Sequence, residues 1–391
     1  MSGSQSHAFD TRAIHAGEAP DPVTGAHGVP LYQNSTYAFR SFEQVEAYKA
    51  GVVPHYDYTR GANPTVRCFE LKMADLEGGA EATTAATGMA AITATLGEVL
   101  GTDGHLVVAD NVYHYTGEFL HIDIPAMGGC VTQVQIGDLD AVEAAIRENT
   151  RAIYCETFSN PLMHVADLLV LSEIAHRRGA LLIVDNTFLS PALLRPLELG
   201  ADIVIHSATK YLAGTGQVMG GVVAGSCDWI PKIRDRLVRQ GGTMSPFAAW
   251  MLLAGVKTLP LRIERHTSNA AVLAERLAAD EEVEIVYFPG LKSHPGHDVA
   301  ERMTGGRYGG LFTFRMRGGE AAARAFVNAL DLCTIALSLG EPSTLTWPLG
   351  DGAIRIAVGL EDPGDLLADV EAGLAAARSV TTSPVLVSGS H

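Results

Sequence analysis

Basic residues are scarce here: 28 Lys and Arg stand against 44 Asp and Glu, a formal net charge of −16. So acidic a chain gains nothing from a phosphate backbone, which argues against nucleic acid as a partner. Long apolar runs are also missing. None reaches the roughly eighteen residues that a membrane-spanning helix needs, so no membrane partner is expected. The first residues, MSGSQSHAFD, carry neither the basic nor the apolar stretch of a secretory signal, and a cytoplasmic location is expected. Cysteines number five, at 68, 130, 155, 227 and 333, with no C-x-x-C pair, which fits scattered reduced thiols rather than a disulfide framework. Fourteen histidines form no H-E-x-x-H and no close ligand group, so no metal is expected.

What is present suits a globular protein. The 391 residues are 47% hydrophobic and 18% charged, enough for a large domain and a smaller one. From about residue 65 to 250, short apolar runs alternate with helical patterns. HLVVAD (105–110), RAIYCET (151–157), ALLIVDNT (180–187), ADIVIHSA (201–208) and GGVVAG (220–225) read as strands. They are continuously apolar, as strands of a parallel sheet covered on both faces are. The stretch 87–100 reads as a helix with Gly88 in its first turn, and DLLVLSEIAHRRG ends on basic residues and a glycine, a helix stop. Strands alternating with helices predict an α/β fold built of βαβ units. Residues 1–60 are rich in Gly, Pro, Tyr and polar residues and read as an extended arm. Residues 61–250 form the expected large α/β domain and 251–391 a smaller α+β domain, with EIVYFPG, GGLFTFRM and GAIRIAVGL as its strands.

The chemistry is concentrated in DNTFLSPALLRPLELGADIVIHSATKYLAGTG, residues 185–216. Asp185 ends one predicted strand and Lys210 follows another, and open α/β sheets bind ligands beyond those strand ends. Read in isolation, the pair could be a loop cap and a solvated lysine. Read together, a lysine that can form a Schiff base and an acid that can hold a pyridine nitrogen protonated are what pyridoxal 5′-phosphate requires. Burial and neighbouring charge can lower a lysine's pKa and free its amine. The cofactor's phosphate would suit the predicted helix N-terminus at Gly88 and Met89, with Ser207 and Thr209 as hydroxyl donors. Read bare, that turn is more simply an ordinary helix entry.

YDYTRGANPT and SATKYLAGTG carry a specific resemblance. Together with the stretch from TRAIHAGE to IRIAVGLED, they make nearly the whole chain similar to the Cys/Met-metabolism family of pyridoxal-phosphate enzymes. That family holds the cystathionine γ-synthases and γ-lyases, methionine γ-lyases and O-acylhomoserine sulfhydrylases. The resemblance implies the fold-type-I, aspartate-aminotransferase-like architecture, with a mostly parallel seven-stranded sheet in the large domain. It also implies a homotetramer made of two dimers, with the arm contacting a neighbouring subunit. By the same resemblance Lys210 is the Schiff-base lysine, Asp185 the partner of the ring nitrogen, and Gly88, Met89, Ser207 and Thr209 the phosphate cup. Tyr58 and Arg60 reach a neighbouring subunit's phosphate. Tyr113 stacks on the ring and moves protons, Asn160 bonds its phenolic oxygen, and Arg355 clamps the substrate carboxylate with Ser338 beside it. The implied reaction is γ-elimination or γ-replacement on a small amino acid of the homoserine-ester or cystathionine type, through quinonoid and vinylglycine-type intermediates.

Two departures from the family pattern bear on the substrate side. His114 and Tyr115 follow Tyr113 where smaller residues are usual, which puts Tyr115 at the substrate. SLGEPSTLTWPLGDGAIRI lacks a loop of about twenty residues that relatives carry before the arginine strand, with Ser343 in place of an acid and Trp347 in place of a histidine. These leave open a specialised reaction on the same cofactor, β-elimination or carbon–carbon bond formation. A cofactor-binding protein without catalysis is the alternative of another class.

Overall fold

The structure is a computed structural model and describes residues 7–381. Within them the chain divides into two compact units. One takes the chain up to Thr157, Leu168–Ala213 and Gln217–Pro260; the other takes Phe158–Asp167, Gly214–Gly216 and the chain from Leu261.

The first unit is built on a seven-stranded sheet. Its strands are β1 (Glu81–Ala85), β2 (His105–Ala109), β3 (Cys130–Val134), β4 (Thr150–Glu156), β5 (Leu181–Asp185), β6 (Ile203–Ser207) and β7 (Gly221–Gly225). Their order is β1-β7-β6-β5-β4-β2-β3, and β7 pairs antiparallel with both neighbours while β6, β5, β4, β2 and β3 pair in parallel. The five apolar runs read from the sequence are β2, β4, β5, β6 and β7. The two strands not anticipated have weaker patterns. EATTA in β1 buries threonines rather than aliphatics, and CVTQV in β3 lies at the sheet edge and is only partly covered.

The helix Gly88–Leu100 starts where the sequence places it. It shares a buried cluster with Ile183 of β5, Ile203 and Ile205 of β6, Val223 of β7 and the helix Ile230–Gln240. Side chains alternate along a strand, so Val204 and His206 turn to the opposite face of β6. The helix Pro64–Glu77 reaches that face through its last residue, Glu77, which bonds His206. The helix Pro246–Lys257, lying across the expected limit at 250, packs against Pro64–Glu77 within this unit.

The second unit carries a five-stranded sheet in the order β10-β11-β12-β9-β8. Its strands are β8 (Val283–Tyr287), β9 (Leu311–Met316), β10 (Thr334–Ile335), β11 (Leu345–Gly350) and β12 (Ala353–Ala357). The segment expected to lack a loop is the hairpin β11–β12. Its turn uses left-handed backbone at Gly350, Asp351 and Gly352 (φ 89°, 49° and 74°), conformations that glycine and, less readily, aspartate accept. No helix among the described residues is long and apolar enough to cross a membrane.

Candidate cofactor site

The carboxyl ends of β4, β5 and β6 bring three polar residues side by side: Glu156, Asp185 and Ser207. Asp185 is only 8% exposed. One of its oxygens, Oδ1, accepts two hydrogen bonds from Thr187, from the backbone N–H at 3.0 Å and the hydroxyl at 2.5 Å. The Thr187 hydroxyl in turn accepts the Ser207 N–H at 2.8 Å. Burial pushes the Asp185 pKa above its ordinary value, and the Thr187 donors, His206 and the Tyr154 hydroxyl pull against it. A desolvated carboxylate held in this way is suited to a cationic partner such as a protonated pyridine.

The N-terminus of helix Gly88–Leu100 lies against the same strand end. Thr87 caps it, its hydroxyl accepting the Ala90 N–H at 3.0 Å. A Cβ on Gly88 would stand 2.7 Å from the Ser207 Cβ and 2.9 Å from its Oγ, so only glycine permits this approach. Gly221 of β7 is confined likewise, since a Cβ there would lie 2.3 Å from the Thr87 carbonyl oxygen. The result is a close cradle of helix N-terminus and serine, a setting that favours a phosphate. A buried acid and this cradle at adjacent strand ends fit a cofactor with a basic ring nitrogen and a phosphate.

Lys210 stands in the turn after β6, its backbone N–H bonded to the Ser207 carbonyl at 3.2 Å. Thr209 braces the returning chain: its hydroxyl accepts the Gly220 N–H at 3.1 Å and donates to the Gly220 carbonyl at 3.3 Å. Tyr113, 44% exposed, precedes the helix His114–Ala126 and donates its backbone N–H to Glu156 Oε1 at 2.5 Å. Its ring meets Tyr115 edge-on at 5.8 Å, and burial raises its hydroxyl pKa. Met89 follows Gly88 in the first helical turn.

Tyr58 and Arg60 stand together. The Arg60 guanidinium sits over the Tyr58 ring at 5.8 Å. Arg60 lines a cavity of about 910 Å³ with Arg67, Glu70, Glu81 and Arg234, and neither Asp185 nor Lys210 borders it.

The second unit gathers the other three expected residues. Arg355 of β12, 5% exposed, donates to Asn160 Oδ1 at 3.4 Å and to the Ser338 carbonyl at 3.1 Å. Its register neighbours are Trp347 on β11 and Thr313 on β9, so the three share one face of the sheet. Thr313 donates to the carbonyl of Pro161, which holds the Asn160 segment on that face.

Reading the sequence missed Thr187, Glu156 and His206. Thr187 stands two residues after Asp185, the spacing at which a side chain folds back on an acid, and that signal was available. Glu156 ends an apolar strand, but its acceptance of the Tyr113 N–H depends on a pairing that only the fold supplies.

A largely parallel sheet with a buried acid and a helix N-terminus at its carboxyl edge is the architecture of the cofactor-binding α/β enzymes. Within that class, the chain belongs to the Cys/Met metabolism PLP-dependent enzyme family, whose model matches residues 10–349. It is 42% identical over 388 residues to the L-methionine gamma-lyase of Pseudomonas putida, covering 94% of this chain and 97% of that protein. It is also 42% identical over 387 residues to the O-succinylhomoserine sulfhydrylase of Pseudomonas aeruginosa, covering 94% and 96%. The solved cystathionine gamma synthase from Xanthomonas oryzae pv. oryzae, in complex with aminoacrylate and cysteine, superposes with a TM-score of 0.89 at 36% identity, over 95% of this chain and 99% of that one. The cofactor is pyridoxal 5′-phosphate, and the protein is an enzyme of the lyase or transferase type.

Proposed function

We propose that this enzyme carries out γ-elimination or γ-replacement on a small amino acid of the homoserine-ester or cystathionine type, with Lys210 as the amine that holds the cofactor. The observation that carries the reading is Asp185, buried and braced by Thr187 beside the Gly88–Ser207 cradle. When bound, pyridoxal 5′-phosphate supplies an electron sink for negative charge developing next to the substrate amine. Asp185 keeps the ring nitrogen protonated. The N–H groups at Gly88 and Met89 and the hydroxyls of Ser207 and Thr209 bind the phosphate. Lys210, once its amine is free, takes a proton from the substrate α-carbon and returns protons later in the cycle. Tyr113 covers the ring face and assists proton transfer at its hydroxyl, and Asn160 bonds the ring's phenolic oxygen. Arg355 takes the substrate carboxylate as a bidentate fork, with Ser338 and Tyr115 at the substrate.

Tyr58 and Arg60 serve the phosphate of a neighbouring copy, in keeping with Arg60 lining a cavity that neither Asp185 nor Lys210 borders. Residues 1–60 act as an arm toward that copy, and the unit built on the seven-stranded sheet supplies the cofactor's lysine, acid and phosphate cradle. The enzyme works as a homotetramer of two dimers in the cytoplasm.

A second reading keeps the cofactor and changes the reaction to β-elimination or carbon–carbon bond formation. The tight β11–β12 turn and the placing of Trp347 beside Arg355 favour it. A panel of O-acylhomoserines, cystathionine, methionine and cystine, read by 2-oxo acid release and by thiol-dependent product formation, separates the two. Turnover of γ-substituted substrates supports the first reading. Turnover of cystine alone, or of none while the cofactor is bound, overturns it in favour of the second.

A further inference from the structure

Two ionisable groups are buried behind the Asp185 site without a part in the reaction just described. Glu77 ends the helix Pro64–Glu77 with its side chain fully buried, and His206 of β6 is 1% exposed. The imidazole Nε2 bonds the Glu77 carboxylate. Burying either group alone is costly, and the bond between them offsets part of that cost, while Glu77 Oε2 and His206 Nδ1 stay buried without a hydrogen-bond partner.

Their position is what matters. The register partner of Asp185 on β6 is Ile205. His206 is the next residue and turns to the far face, toward Glu77. The residue after it, Ser207, donates its N–H to the Thr187 hydroxyl at 2.8 Å, and that hydroxyl donates to Asp185 at 2.5 Å. One short stretch of β6 is thus gripped on one face by Glu77 and on the other supports the donor that braces the acid. On the other side of Asp185, Glu156 of β4 is its register partner and sets a second acid beside it.

We propose that Glu77 and His206 form a buried positioning pair that holds Asp185 in its bracing and in the carboxylate form that the cofactor's ring nitrogen requires. This rests on the cofactor placement given above. His206 pulls the same way as the Thr187 donors, lowering the Asp185 pKa against the desolvation that raises it.

The test is a double-mutant cycle on cofactor affinity. Apo-protein is titrated with pyridoxal 5′-phosphate, followed by quenching of tryptophan fluorescence, for wild type, His206→Gln, Asp185→Asn and the double variant. The expected result is a dissociation constant about tenfold higher for His206→Gln, equivalent to about one unit in an acid's pKa. In the Asp185→Asn background the same substitution should change affinity less than about twofold, because the group it acts through is gone. An equal loss in both backgrounds assigns the pair a purely structural role and overturns the proposal. If His206→Gln does not fold, His206→Asn replaces it, since it too keeps a side-chain amide and cannot carry the imidazole's charge. Wild type that takes up no cofactor would sink the placement itself; uptake with an additive cycle sinks only the pair.

Discussion

Thr187 grips a single oxygen of Asp185 twice, with its backbone N–H at 3.0 Å and its hydroxyl at 2.5 Å. Both donors come from one residue, so the carboxylate cannot rotate without breaking both bonds. The hydroxyl bond is the removable half. Thr187→Val keeps the shape and the N–H and deletes one donor to a charged acceptor, a loss of about 1.5–3 kcal/mol. Affinity for pyridoxal 5′-phosphate should fall by roughly tenfold to a hundredfold, and Thr187→Ser should restore most of it. Titration of the three apo-proteins gives the answer. Equal affinities would show that the Thr187 hydroxyl does not serve the cofactor through Asp185.

The same acid should cost the apo-protein stability. Its folded pKa is raised, so the folded state holds the proton more tightly than the unfolded chain does. Stability contributed by this group is therefore greatest below the ordinary carboxylate range and declines as pH rises through the raised value. Apo Asp185→Asn, which carries no charge, should unfold at higher urea than apo wild type at neutral pH. The gap should close as pH falls toward the ordinary carboxylate range. Urea midpoints across that range check both the sign and the window.

A third expectation concerns the cradle. In Gly88→Ala the new Cβ would stand 2.7 Å from the Ser207 Cβ, and overpacking of this kind costs about 1–3 kcal/mol. Thermal unfolding should show a lower midpoint and the cofactor should bind less well. Adding Ser207→Gly removes the opposing Cβ and should recover much of the stability, but not the phosphate affinity that the hydroxyl provides. Recovery of both by the double variant would show that Ser207 does not hold the phosphate.

Glu156 accepts the N–H of Tyr113 at the entry to helix His114–Ala126. Glu156→Ala should lower stability by about 1–2 kcal/mol, as loss of the acceptor of a backbone N–H does. It should also loosen Tyr113, weakening the circular dichroism of the bound cofactor in the visible range. Glu156→Gln retains an acceptor and should keep both signals. If Gln behaves as Ala does, the charge rather than the hydrogen bond is what the site uses.

Much of this was legible in the sequence. A strand buried on both faces must be apolar throughout, so β2, β4, β5, β6 and β7 could be read directly, and Asp185 and Ser207 fall at strand ends as a result. β1 and β3 escaped because threonines and an exposed edge blur the pattern. β11 escaped for a different reason. LTWPLG contains a proline and three outward residues, and it becomes a strand only because the turn at Asp351–Gly352 folds it onto β12. The approach of Gly88 to Ser207 joins residues 119 positions apart, and no local pattern encodes packing over such a separation.

That Lys210 holds the cofactor can be tested on one peptide. Enzyme loaded with pyridoxal 5′-phosphate is reduced with borohydride, digested and mapped by mass spectrometry, with Lys210→Ala in parallel. The expected outcome is a pyridoxyl-phosphate group on Lys210 in the wild type, with no labelled peptide in the variant. A label on another lysine of the wild type, or none, would overturn the assignment of Lys210.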